Sequence, residues 1–132
     1  MTLTDSTFSA NSTNIITDTY TWSGTVHVAA NVTLIFQGGK LIGGTLQGNN
    51  TVIQAPCSQI FSNVQFTGTF VVENWNACWF GCVGDGTTNN TTALQYAINA
   101  LYSLLGMSLT ALSSLKICGE QRYMLIRQIG LY

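Results

Sequence analysis

The feature that most constrains this chain is a rhythm. Between residues 25 and 72 very short β-prone runs alternate with turn residues, and the runs centre near Val26, Leu34, Leu41, Leu46, Val52, Ile60, Gln65 and Val71. Three consecutive spacings add up to about 20 residues. A period of that size, made of three short strands, fits one coil of a three-sided parallel solenoid in which each coil lies on the one before. An antiparallel sandwich would need strands of about 5 to 6 residues, with turn signals roughly every 8 to 12. Gly38-Gly39, Gly43-Gly44 and Gly48-Asn49-Asn50 supply corners that tolerate positive φ. The expected inward positions are Val26, Val28, Leu34, Phe36, Leu41, Leu46, Val52, Ile60, Phe66 and Phe70, with Thr, Gln, Asn and Lys facing out.

The surface such a stack presents is unusual in its neutrality. Of 132 residues, four are Lys or Arg and five are Asp or Glu, so charged residues make up 7% of the chain. Soluble domains usually carry roughly 25%. The cations Lys40, Lys116, Arg122 and Arg127 form no basic stripe, which argues against nucleic-acid binding and against electrostatic attachment to a membrane. Disorder is excluded by the 46% hydrophobic content. Interspersed charge normally keeps exposed faces apart, so a chain without it either buries much of its surface against partners or presents a neutral, hydroxyl-rich extracellular surface.

After the strands the pattern changes period. Leu94, Ile98, Leu101 and Leu105 fall on one helical face that ends at Gly106, and Gln95, Asn99 and Ser103 form a polar stripe. Thr92 and Gln95 make a T-x-x-Q capping box at its start. The segment is therefore an amphipathic helix rather than a membrane span, and its expected seat is the open end of the coil, where it would hide unpaired backbone. Residues 115–131 resume a strand-like pattern, so the repeat reads as truncated. Composition divides the chain into a polar arm over residues 1–22, short solenoid coils over 23–78, and over 79–132 a G-D-G turn, the capping helix and the first strands of a following coil.

No constellation of catalytic or metal-binding type emerges. Asp5, Asp18, Glu73, Asp85 and Glu120 are not spaced to share a face, whereas a glycosidase needs two carboxyl groups within roughly 5 to 10 Å. His27 alternates outward on a strand without a partner acid or nucleophile near it in sequence. Asp85 reads as a turn former between Gly84 and Gly86. Trp22, Trp75 and Trp79 could stack on sugars, although aromatic residues at coil ends more often serve the core or an interface. Cys57, Cys78, Cys82 and Cys118 lack a nearby histidine for zinc, and C-x-x-x-C is not a C-x-x-C redox pair, so buried thiols are expected. No catalytic, cofactor or metal site is assigned.

Two segments carry a resemblance. WFGCVGDGTTNNTTALQYAINAL, residues 79–101, resembles the W-F-G-A-x-G-D-G-x-x-D-D-T-x-A-x-x-x-A-I segment that opens the parallel β-helix of pectate-lyase-like and tailspike proteins. NVTLIFQGGKLIGGTLQGNNTVIQAPCSQIF, residues 31–61, is similar to the N-terminal coils of those proteins in gut Bacteroidetes and their phages. ICGEQRY stands where the family has a P-x-G-x-Y strand start, so the likeness runs from about residue 20 to residue 126. The positions singled out are Trp79, Phe80, Gly81, Gly84, Asp85 and Gly86 from this motif, together with Thr92 and Gln95 of the capping box, and they are structural rather than catalytic. Asn89 and Asn90 replace the usual paired aspartates and Cys82 replaces a small residue, which weakens any carboxylate ion site in the loop.

The resemblance implies a mainly β chain: the start of a right-handed parallel β-helix, or β-solenoid, with a capping α-helix. It implies catalytic clusters on later coils that these residues do not include, so this chain is not expected to be an enzyme. The expected role is a non-catalytic attachment part of a bacteriophage virion, a tail or head fibre or tailspike N-terminal region assembled in the host cytoplasm. Expected partners are two further copies in a homotrimer, other virion proteins through the N-terminal arm, and a cell-surface glycan. Residues 1–14 lack the basic and apolar regions of a secretory signal, which favours the virion. The alternatives are the leading part of an exported bacterial polysaccharide lyase or glycoside hydrolase, extracellular or periplasmic, and a carbohydrate-binding adapter module.

Overall fold

The computed structural model describes residues 1–72, 75–83, 87, 89–105 and 115–116, with side chains through residue 100. The chain is mainly β, its sheets are parallel, and the described residues include one α-helix. In chain order the strands are β1 (Thr13–Ile16), β2 (Thr19–Thr21), β3 (Thr25–His27), β4 (Thr33–Phe36), β5 (Lys40–Ile42), β6 (Thr45–Gln54), β7 (Phe61–Ser62), β8 (Gln65–Val71) and β9 (Trp75–Asn76). A 3-10 turn (Ala77–Phe80), helix α1 (Thr91–Leu105) and strand β10 (Leu115–Lys116) follow.

Strands β1 to β6 each pair in parallel with a strand about 20 residues further on, and β9 pairs in parallel with β10, Trp75 lying beside Leu115. Thr25 lies beside Thr45 and Thr45 beside Gln65, Thr13 beside Thr33 and Thr33 beside Val52, and Thr19 beside Lys40. Three ladders result: β3 with the first half of β6 and β8, β1 with β4 and the second halves of β6 and β8, and β2 with β5 and β7. The strands are short because corners interrupt them. Asn11, Asn31, Asn50 and Asn63 hold φ values of 58°, 60°, 54° and 56°, a left-handed conformation that asparagine tolerates better than most residues.

In-register burial builds the core in rows. Val26, Leu46 and Phe66 form one row, Tyr20, Leu41 and Phe61 a second, and Leu34 with Ile53 a third that ends on Asn14. Each fully buried side chain of this kind contributes roughly 1.5–3 kcal/mol. Of the expected inward residues, Val26, Val28, Leu34, Phe36, Leu41, Leu46, Ile60 and Phe66 are buried. Val52 and Phe70 are only half-buried. For Val52 the cause is a register irregularity between Gly48 and Thr51, which turns Thr51 and Ile53 inward instead. The buried Thr51 hydroxyl accepts from the Asn49 backbone N–H at 3.1 Å, so the inversion leaves no polar atom unsatisfied.

Residues 1–22, set apart by composition as an arm, pack into the same body. β1 and β2 lie within them, Leu3 and Phe8 are buried, and the Leu3 N–H donates to the Thr21 carbonyl at 3.0 Å. At the other end an aromatic layer closes the rows. Phe61 meets Phe66 edge-on at 4.8 Å, Phe66 meets Trp75 at 5.3 Å, and Trp75 meets Trp79 at 5.9 Å. Helix α1 lies against β8 and the 3-10 turn, burying Leu94, Ala97, Ile98 and Ala100. Among the described residues no helix is long and apolar enough to cross a membrane.

Candidate functional site

A concavity lies where β7, the 3-10 turn and the start of α1 meet. It is an open groove of about 240 Å³, lined by Gln59, Phe61, Ser62 and Asn63 from the β7 region, Phe80 and Gly81 from the turn, and Asn89, Thr92 and Tyr96 from the helix start. Local chemistry sets each wall. Asn76 caps the turn by accepting from the Cys78 N–H at 3.1 Å, and Gly81 ends it in a left-handed conformation with φ 100°. The Gln59 amide donates to the Phe61 carbonyl at 3.2 Å, which holds that side chain along the groove.

The helix wall begins two residues earlier than a Thr92 cap implies, at Thr91 rather than Ala93. α1 starts at Thr91, whose N–H donates to the Asn89 side chain at 3.0 Å, so Asn89 supplies a capping oxygen in place of an aspartate. Gln95 donates to Asn99 at 3.0 Å, one turn on. Asn90 is buried and brackets Val83, accepting from its N–H at 3.0 Å and donating to its carbonyl at 2.9 Å. The two asparagines therefore divide the work: one caps the helix, the other ties it to the chain after the turn.

The motif residues part company in the structure. Trp79, Phe80 and Gly81 come together in the turn, with Trp79 donating to the Pro56 carbonyl at 3.1 Å. Trp75 and Trp79 are buried among other rings, which removes them as sugar platforms, and half-buried Trp22 donates to the Thr45 carbonyl at 3.1 Å. Thr92 and Gln95 are exposed on the first turns of α1. Gly84, Asp85, Gly86, Glu73, Gly106, Cys118 and Glu120 lie outside the described residues, as does the resumed strand pattern beyond Lys116.

Two expectations are corrected. His27 does have a partner acid: Asp5 accepts from the His27 backbone N–H at 2.7 Å, and its other oxygen lies 3.3 Å from the imidazole Nδ1. The backbone hydrogen bond holds the Asp5 carboxyl below its usual range against an opposing effect of burial, and the imidazole contact adds to the lowering. Cys57 and Cys78 form a disulfide rather than two buried thiols. Their sequence separation of 21 is one step of the stack, which sets their Cα atoms 5.4 Å apart, within bridging range. Cys82 is buried, in keeping with expectation.

Sequence reasoning also missed a polar ladder. Asn31 donates to the Asn11 side chain at 3.0 Å, and the Asn50 N–H donates to Thr69 at 2.8 Å. The signal was present in the spacing of Asn11, Asn31 and Asn50, once the repeat is traced back before residue 25.

Chemically, the groove offers amides, hydroxyls and ring edges. Among the described residues lining it there is no carboxylate, histidine or cysteine, and no group of His, Cys, Asp or Glu is gathered for a metal. Comparison with family models, curated proteins and solved structures finds no match.

Proposed function

We propose that this chain is the N-terminal, non-catalytic part of a bacteriophage fibre or tailspike, forming the first coils of a right-handed parallel β-helix that serves host-surface attachment. The observation that carries the reading is the repeated parallel offset of about 20 residues in the three ladders built from β1 to β8. A stack of that kind grows by adding coils, which suits an elongated spike. The W-F-G and G-D-G resemblance over residues 79–101 supports the same family. A disulfide persists on virion and cell surfaces and in oxidising compartments, consistent with exposure outside the cytosol.

The low charge supports a trimer in which copies cover one another's sides. Ile15 and Val71 stand 55% and 56% exposed on the outer face of one ladder, beside half-buried Ile35 and Val52. Docking to other virion proteins is assigned to the outer surface of residues 1–22, since Leu3, Phe8 and Ile16 are committed to the core. An antibody against this chain, applied to particles purified from lysates of the host, is expected to label one end of the particle. Absence from particles would reject the virion role.

The carbohydrate-binding adapter is the second reading, favoured by the neutral amide- and hydroxyl-lined groove. It predicts glycan binding that Tyr96→Ala and Asn63→Ala weaken together, measured by titration calorimetry.

A further inference from the structure

We infer that the Cys57–Cys78 disulfide is an oxidation-dependent lock on the aromatic end of the stack and on the groove beside it. The bond joins two segments that no strand pairing unites: the link between β6 and β7, which holds exposed Cys57, and the 3-10 turn, which holds buried Cys78. Two of the groove's walls, the β7 region and the turn, lie immediately downstream. Gln59 follows Cys57 by two residues and Gly81 follows Cys78 by three, and a Cβ at Gly81 would sit 3.1 Å from the Gln59 amide nitrogen. Closing the bond therefore adds a covalent tie to the hydrogen bonds that already join these segments, from the Ile60 N–H to the Trp79 carbonyl at 2.9 Å and from the Trp79 indole to the Pro56 carbonyl at 3.1 Å. Most of the core rows sit on β1 to β6 and depend on neither cysteine, so the reduced chain keeps its body and loosens at this end.

The chemistry is a two-step exchange with a small-molecule disulfide such as glutathione disulfide. The exposed Cys57 thiolate attacks one glutathione sulfur, forming a mixed disulfide and releasing one glutathione thiolate. The Cys78 thiolate then attacks the Cys57 sulfur, forming the protein disulfide and releasing the second glutathione. Two protein thiols are oxidised, one glutathione disulfide is reduced to two thiols, and the protons of the cysteines pass to the leaving glutathiones. A chain made in a reducing cytosol would thus stay unlocked until it met an oxidising exterior. The lock belongs to the chain itself, whichever particle or surface carries it.

The test uses the full chain, prepared reduced and then treated with glutathione disulfide. Alkylation with peptide mapping separates Cys57 and Cys78 from Cys82 and Cys118, while hydrogen exchange and thermal melts report on structure. The expected result is a Cys57–Cys78 crosslink, slower exchange in residues 55–62 and 76–82, unchanged exchange in β1 to β6, and a melting temperature higher by about 10 °C. Cys57→Ser should hold the loose pattern under both conditions. Persistent alkylation of both cysteines, a stalled glutathione adduct on Cys57, equal exchange in the two states, or loss of the whole fold on reduction would each overturn the proposal.

Discussion

At the residue scale, close approaches between neighbouring layers decide which side chains are tolerated. Gly68 has φ +79°, and a Cβ there would fall on the carbonyl oxygen of Gly48, the residue paired with it in the ladder. Gly68→Ala is therefore expected to cost about 2 kcal/mol or more, read as a lower urea midpoint at unchanged slope. Asp5 shows a different layer-to-layer contact, between an exposed carboxylate and the backbone of β3. Its folded pKa lies below the ordinary 3.8, so its contribution is present above that value and is lost as pH falls through the lowered folded pKa. Asp5→Ala should melt below the wild type at pH 7, and the gap should close in acid below the wild-type carboxyl's titration. A gap of constant size from neutral to strongly acid pH would contradict the assignment.

At the element scale, α1 is held by side-chain amides rather than charges, for neither its first turn nor its last carries a favourable ionic residue. Asn90 makes two hydrogen bonds to Val83 from a buried position, and both partners are backbone groups. Asn90→Ala should cost roughly 1–3 kcal/mol, with faster hydrogen exchange concentrated in α1 and residues 81–83. Equal protection of the helix in the variant would show that apolar burial alone seats it. The existence of this helix was legible from its 3.6-residue period, but its start was misplaced by two residues, from Thr91 to Ala93. The T-x-x-Q pattern at Thr92 is a local signal, and the capping oxygen came from Asn89, whose position depends on how Asn90 ties down the preceding chain. β6 shows the same limit: two runs around Leu46 and Val52 read as separate strands, while the structure joins them through one irregular pair of residues.

At the scale of the whole molecule, the outer face of the β1, β4, β6 and β8 ladder is where the proposed trimer can be tested without disturbing the core. Ile15→Glu replaces a side chain that is more than half exposed, so the fold should hold. Light scattering after size exclusion is expected to show three copies for the wild type and one for the variant, with matching circular dichroism. A wild-type monomer would remove the trimer. What the order of amino acids determined by itself was the period: β-prone runs, asparagine and glycine corners and a neutral surface are local or compositional properties, and together they set a step near 20 residues. What only the tertiary structure decided was which residues one step apart meet. Asp5 with His27, Cys57 with Cys78, Asn11 with Asn31, and Thr51 turned inward in place of Val52 all follow from register. Register is chosen by the summed burial of whole rows, so no single residue announces it.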